Sequence, residues 1–221
     1  MSIILIRHGE TALNVARILQ PADTPLSERG RRQAAAVAQR FFTAKIGAIV
    51  SSDLPRAVET ARAISSVTSV AIRFSDLLQE RNFGDLRGLP YDGLGYDPIA
   101  MTDAPPGGES IAMLHDRIDR ALNFLREARA ELESDLLVVS HGFFIRTLLA
   151  LRLQMPNSSA APLSIDNTSI SVISREACEP GSSTCPASQR HTRSTCDGPD
   201  TRLPTSSSAA TSTRTASHAS P

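Results

Sequence analysis

Two triplets in this 221-residue chain have the residue types for chemistry. Arg7-His8-Gly9 closes the apolar run "SIILI", and Ser140-His141-Gly142 closes "DLLVV". A third stretch, "SSDLPRA", follows the apolar run "IGAIV" and carries Arg56. Together these stretches supply two guanidiniums and two imidazoles, with no carboxylate among the four. That set suits a doubly charged tetrahedral oxyanion, because arginine forks match phosphate oxygens. Cleaving a phosphate ester also requires a proton for the departing oxygen. Glu80, in "LLQERNFGDLRG", follows a short apolar stretch. A carboxyl among apolar neighbours can hold a proton and act as a general acid. Asp53 and Asp85 are the fallback acids.

These residues act together only if the elements before them converge. Residues 2–7 read as a short buried strand, being apolar without alternation and partly β-branched. Further strands are expected at "IGAIVSS", "VAIRFS", "DLLVVS" and "NTSISVIS". Between them lie helical patterns. One is capped by Ser27, with Ala34, Val37, Ala38 and Phe41 on one face. A second, "LPRAVETARAISS", carries Pro55 in its first turn. A third starts at Ser110 and has the stripe Ile111, Leu114, Ile118, Ala121, Leu122 and Leu125. A fourth is "GFFIRTLLALRL". Residues 81–107 are dense in glycine and proline and are expected to be irregular. Alternating strands and helices imply an α/β fold of three layers, α/β/α, around a mostly parallel sheet. In such sheets ligands bind beyond the carboxyl ends of the strands. His8 and His141 each follow a strand and precede a glycine, which is expected to allow a tight turn beside a ligand. Arg7, His8, Arg56 and His141 therefore belong at one sheet edge.

Composition sets the outer limits. The formal net charge is zero, so no basic field favours nucleic acid and no acidic tail is present. No apolar run approaches the ~20 residues of a membrane span. "SIILI" is too short for a signal-peptide core, and no basic segment precedes it. A soluble, cytoplasmic protein with no nucleic-acid or membrane partner is expected. The three cysteines, Cys178, Cys185 and Cys196, fit no zinc spacing, and their odd number argues against a closed disulfide set. They lie in residues 175–221, where serine, threonine, proline and alanine dominate and Leu203 is the one large aliphatic residue. Such a segment cannot bury enough apolar surface to order itself. The reading is a domain over residues 1–174 and a disordered tail over 175–221, either a true tail or a frameshifted end. His191 and His218 in the tail have no assigned role, "RGRR" at 29–32 reads as a solvated helix face, and His115 reads as a surface residue.

The ordered series "LIRHGET" with Asn14, "PLSERGRRQA", "SSDLPRAVETA", "QERNFGDLRG", "PPGGES" and "VVSHGFFIRTLL" resembles the motifs of the histidine phosphatase superfamily. That superfamily includes the cofactor-dependent phosphoglycerate mutases and many small phosphatases. The resemblance spans residues 3 to about 174 and implies roles for individual residues. His8 is the nucleophile that becomes phosphohistidine. Arg7, Arg56 and His141 form the phosphate pocket, and Asn14 adds a side-chain hydrogen bond to phosphate. Glu80 protonates the leaving alcohol and then activates water. No metal and no cofactor are expected, because arginines supply the positive charge.

The resemblance covers both hydrolysis and mutase-type transfer. Mutases of the superfamily carry a longer, basic insertion between the acid and "GGES". Here that stretch is short, its bases are Arg81 and Arg87, and Tyr91, Tyr96, Ile99 and Met101 suggest an apolar or aromatic lid. The favoured reading is a phosphatase of the small-phosphatase branch, acting on small-molecule phosphomonoesters as a monomer or homodimer. Phosphoglycerate mutase-type transfer is the alternative. A chain impaired by its aberrant C-terminus is a second alternative. Ser110 is expected to cap its helix, and Glu109 is within sequence reach of a substrate.

Overall fold

The computed structural model describes residues 2–152 and 164–173. The expected tail, and the three cysteines with it, lie outside the described residues. Five strands and five α-helices follow one another: β1 Ile3–Arg7, α1 Ala12–Val15, α2 Glu28–Gln39, β2 Ile46–Ser51, α3 Pro55–Thr68, β3 Ile72–Phe74, α4 Ile111–Ala130, β4 Asp135–Ser140, α5 Gly142–Arg152 and β5 Ile170–Ile173. They form one sheet of order β3-β2-β4-β1-β5. The first four strands run parallel, and β5 lies antiparallel on the β1 edge.

Alternation along the strands separates two cores, as a pleated strand requires. Ile3, Leu5, Leu136 and Val138 face α4 and α5, meeting Leu114, Ile118, Leu125, Phe144 and Leu148. Ile4, Ile6, Leu137 and Val139 face α2 and α3, meeting Val37, Ala38, Ala57, Ala61 and Ile64. The chain is therefore the expected three-layer α/β/α structure with a mostly parallel sheet. The continuous apolar runs of β1 and β4 follow from burial on both faces.

Local signals start the helices as expected. Ser27 Oγ accepts the Gly30 N–H at 3.0 Å, and Ser110 Oγ accepts the Met113 N–H at 3.1 Å. Pro55 is the first residue of α3. Arg29, Arg31 and Arg32 lie on the exposed face of α2 and pair with Glu10, Glu28 and Glu59. His115 is half-buried rather than fully on the surface. Two differences matter. Helix α1 was not expected; Thr11 and Asn14 close a capping box around it, a local signal spread over only four residues. Strand β3 is confined to Ile72–Phe74, because it pairs only with β2 and stands at an edge.

The irregular stretch after β3 contains three single 3-10 turns, Asp76–Leu78, Gly84–Leu86 and Tyr91–Gly93. Backbone bonds tie it to the loop after α1. Leu19 N–H donates to Leu89 O, Gly88 N–H to Leu19 O and Tyr91 N–H to Arg17 O, at 3.0, 2.6 and 2.9 Å. Those bonds place the excursion over the carboxyl ends of β1 and β4.

Candidate active site

Strand register sets the floor of the site. Arg7 pairs with Ser140 across the parallel β1–β4 junction, and His8 N–H donates to Ser140 O at 3.0 Å. The next residues, His8 and His141, therefore emerge side by side, with ring centroids 5.1 Å apart. Ser52 follows β2 on the other side of β4. Its N–H donates to Val139 O at 2.9 Å, and its hydroxyl lies 2.9 Å from His141 Nε2. The first turn of α3 then delivers Arg56.

A cavity of about 260 Å³ opens over this floor, lined among others by Arg7, His8, Asn14, Arg56 and Glu80. Five of the six expected site residues thus share one wall system. His141 is brought to the same place but sits beneath it. It is fully buried, it does not line the cavity, and its Nδ1 has no hydrogen-bond partner among the described residues. The fallback acids do not take part. Asp53 and Asp85 are exposed and do not line the cavity.

Hydrogen bonding assigns the tautomer of His8. Its Nδ1 stands 2.7 Å from Gly9 O. A carbonyl only accepts, so Nδ1 carries the proton and Nε2 keeps the lone pair. Burial pushes the His8 pKa well below its ordinary value of 6.5, and the charges of Arg56 and Arg7 push it further the same way. His141 is lowered for the same reasons, burial first and then Arg56. Both imidazoles are therefore neutral at neutral pH.

The two guanidiniums are tethered at one end. Arg7 Nη1 donates to Ile165 O at 2.6 Å, and Arg56 Nη1 donates to Pro21 O and Ala22 O at 3.3 and 3.4 Å. The Nε of each is buried without a partner. Buried donors without acceptors are costly, and an oxyanion in the cavity is the kind of group that satisfies them. Burial pulls Arg56 down to about 10, still charged at neutral pH. Asn14 serves two ends at once. Its Oδ1 accepts from Thr11 N–H and from Asn167 Nδ2, at 3.2 and 3.4 Å. That leaves its own NH₂ group as the donor for the cavity.

The glycines act differently from expectation. Neither Gly9 nor Gly142 has a positive φ. A Cβ on Gly9 would stand 2.5 Å from Gly30 O, so Gly9 admits the start of α2. A Cβ on Gly142 would stand 3.0 Å from Arg7 Nε, so Gly142 leaves room for that guanidinium.

Glu80 is not set among apolar groups, as its sequence neighbours suggested. Its carboxyl oxygens accept the N–H groups of Arg81, Phe143 and Phe144 at 3.0, 3.0 and 2.9 Å. Two of those donors are orphan N–H groups of the α5 N-terminus. The segment carrying Glu80 is held from below by Arg117. That guanidinium donates to Leu77 O, Gln79 O and Glu80 O and grips both oxygens of Glu109 at 2.8 Å. Glu109 is thereby consumed inside the protein and does not reach the cavity. Arg81 also turns inward, donating to Glu109 O, Met101 O and Asp103 O. Of the expected lid residues, Tyr91 and Ile99 line the cavity, whereas Tyr96 is exposed and Met101 contributes its carbonyl to Arg81.

Several positions around the candidate site escaped the sequence reading. Ser52 fixes His141. Thr60 accepts the Gly9 N–H at 3.1 Å, and Asn167 Nδ2 donates to His8 O at 3.0 Å. Arg146 lines the cavity from α5. Its signal was available, since residues 142 and 146 stand one helical turn apart on one face. Ser52, Thr60 and Asn167 left no such signal, because each acts on a residue distant in sequence.

Known proteins resemble this chain in sequence and in fold. The sequence model of the histidine phosphatase superfamily (branch 1) matches residues 3–185. A Yersinia pestis protein named "Probable phosphoglycerate mutase GpmB" is 36% identical over 181 residues, covering 77% of this chain and 83% of that one. A mycobacterial glucosyl-3-phosphoglycerate phosphatase, solved with VO3, is similar with a TM-score of 0.68 and 32% identity, over 78% of this chain and 90% of that one. A phosphoglycerate mutase from Thermus thermophilus is similar with a TM-score of 0.60 and 26% identity, over 78% and 92% of the two chains.

Proposed function

Since the chain belongs to the histidine phosphatase superfamily, we propose that it hydrolyses small phosphomonoesters through a phosphohistidine on His8, without a metal ion. The observation that carries this reading is the Nδ1–Gly9 O bond, which leaves the His8 Nε2 lone pair beside two buried guanidiniums with donors to spare. Nε2 attacks phosphorus, and the bond from phosphorus to the ester oxygen breaks. Glu80 gives its proton to that oxygen, so the alcohol leaves neutral. Arg7, Arg56 and Asn14 hold the equatorial oxygens, with His141 beneath them. Water then attacks phosphorus and passes a proton to Glu80, the P–N bond breaks, and Nε2 recovers its lone pair.

Metal independence is part of the proposal. Its support is the donor set: among the described residues no three His, Cys, Asp or Glu side chains gather into a metal-holding group, while arginines line the cavity. The test is hydrolysis of p-nitrophenyl phosphate in EDTA, beside His8→Ala. The expected result is turnover that survives EDTA and falls by at least about 10⁴-fold in the variant. Turnover lost in EDTA, or kept in His8→Ala, overturns the reading. A parallel assay of phosphoryl transfer between phosphoglycerates separates hydrolysis from the mutase alternative: transfer outpacing hydrolysis favours the mutase.

A further inference from the structure

Arg117, on α4, does not line the cavity, yet all five of its N–H donors are used. Nε and one Nη2 N–H grip the two oxygens of Glu109, at 2.8 Å each. The Nη1 N–H groups reach Leu77 O and Gln79 O at 3.0 and 2.8 Å, and the other Nη2 N–H reaches Glu80 O at 3.3 Å. Arg7 and Arg56, by contrast, each keep a buried Nε without a partner. A guanidinium with donors to spare suits a ligand, and one with none suits its own neighbours. Those neighbours all bear on where the Glu80 carboxyl stands. Three of them are carbonyls of the segment that ends in Glu80. Beyond Glu80, Glu109 Oε2 accepts Asn82 N–H at 3.3 Å, and Glu109 N–H donates to Asn82 O at 2.8 Å. The segment is therefore held on both sides of the acid. The Arg117 guanidinium also lies over the Phe144 ring, 5.6 Å from its centroid, and Phe144 N–H is one of the three donors on the Glu80 carboxyl. One side chain thus fixes the backbone that carries the carboxyl and packs on the helix end that receives it. The Arg117 and Glu109 side chains are only 12% and 10% exposed. A buried ion pair adds little net stability over an apolar pair of similar volume. What an apolar pair cannot supply is the five directed bonds.

We propose that Arg117, braced by Glu109, is a positioning residue for the proton that Glu80 gives to the leaving oxygen. This rests on reading Glu80 as the general acid. Arg117 acts through Glu80 and touches no reacting atom. The proton moves across a bond of hydrogen-bond length, so displacing its donor by about 1 Å costs about 10²-fold in rate. The phosphate floor hangs on other ties, Arg7 on Ile165 O and Arg56 on Pro21 O and Ala22 O. Loss of the clamp should therefore slow proton donation while the phosphate is still held. Arg117→Lys keeps the positive charge, which is also felt at His141. It carries its donors on a single nitrogen and cannot make the fork.

Two esters that differ in their need for a proton test the role. The nitrophenolate of p-nitrophenyl phosphate leaves as a stable anion, whereas the alkoxide of benzyl phosphate has to be protonated as it leaves. The full chain is assayed for kcat/KM, which covers the steps up to loss of the alcohol. Rates are taken per vanadate-binding site, so that unfolded chain does not count. The variants are Arg117→Lys and the double replacement Arg117→Leu with Glu109→Leu, which removes the ion pair whole. In both, benzyl phosphate should lose about 10²-fold and p-nitrophenyl phosphate no more than about three-fold. Glu80→Gln should show the same split. Adding Arg117→Lys to Glu80→Gln should cost benzyl phosphate no more than about three-fold further, because two residues serving one proton are not additive. Equal losses with the two esters, no loss with benzyl phosphate, or a full further loss in the Glu80→Gln background overturns the positioning role alone. So does the absence of vanadate sites in both Arg117 variants, which would make the clamp a requirement of folding. A wild type that cannot turn over benzyl phosphate, or a Glu80→Gln variant without the split, overturns the reading of Glu80 as the acid and the positioning role with it.

Discussion

At the floor of the cavity, Arg7 and His8 stand at the end of a strand buried on both faces, and their neighbours are fixed by β-register. At its mouth, Phe83, Arg87, Tyr91 and Ile99 come from a stretch of single 3-10 turns whose ties run to the loop at 17–19. The floor uses glycine where a side chain would collide with backbone or with Arg7. The mouth has Gly88 and Gly95 with positive φ and nothing within 4 Å of a Cβ. The difference teaches where each property of the site is held. On the proposed reading, the chemistry common to phosphate esters belongs to the rigid edge of the sheet, and selection among esters belongs to the turns of the mouth, where change disturbs little packing.

Glu80 stands between these regions, and after that of His8 its replacement has the largest expected effect. Glu80→Gln should lower kcat by about 10²–10⁴-fold, since a carboxamide cannot donate the acid proton. Vanadate affinity should change by no more than about three-fold, because the phosphate floor is untouched. A matching loss of vanadate binding would instead make Glu80 an anchor of α5 and nothing more.

Next in size is the Arg117 clamp beneath it. Arg117→Leu strips three carbonyls and leaves the buried Glu109 carboxylate unpaired, at an expected cost of about 3–5 kcal/mol in unfolding free energy. Adding Glu109→Leu should restore much of that. A double variant no more stable than the single one would show that the carbonyl bonds, not the ion pair, hold the segment. Urea unfolding reads both.

The floor should also reveal itself through pH. His8 and His141 are neutral when folded, with pKa values well below 6.5, and unfolding returns each to its ordinary value. Below pH 6.5 the unfolded chain therefore binds more protons, so stability falls as pH falls. Above that pH the contribution is complete. Each histidine should add about 1.4 kcal/mol per pH unit to the slope on the acid side. Urea midpoints at pH 7, 6 and 5 measure it, and His141→Asn should remove one share. An unchanged slope in that variant contradicts the buried neutral imidazole.

The smallest contrast is between two glycines. Gly9→Ala forces a methyl group against Gly30 O and should cost about 1–3 kcal/mol. Gly93→Ala, on the exposed mouth, meets only the Pro90 ring, Cγ at 3.2 Å and Cδ at 3.9 Å, and should stay within about 0.5 kcal/mol. Equal costs would erase the distinction between a packed floor and a tolerant mouth.

The apolar runs, caps and helical stripes were enough to read the layers of the fold, because strand and helix periods are local properties of a chain. They also carried His8, His141, Arg7 and Arg56 to one edge, because parallel strands all end on the same side. Asn14 and Glu80 came from the resemblance and from spacing, and both do line the cavity. Tertiary structure alone decided the rest. It set His141 beneath the cavity rather than in its wall, since burial depends on what covers a strand end. It turned Arg81 and Glu109 inward, while Arg87 and Arg146 were left facing the cavity. Four residues of similar charge strength thus received opposite fates, because an ionic side chain is placed by the partners within its reach, and those partners meet only after the chain has folded.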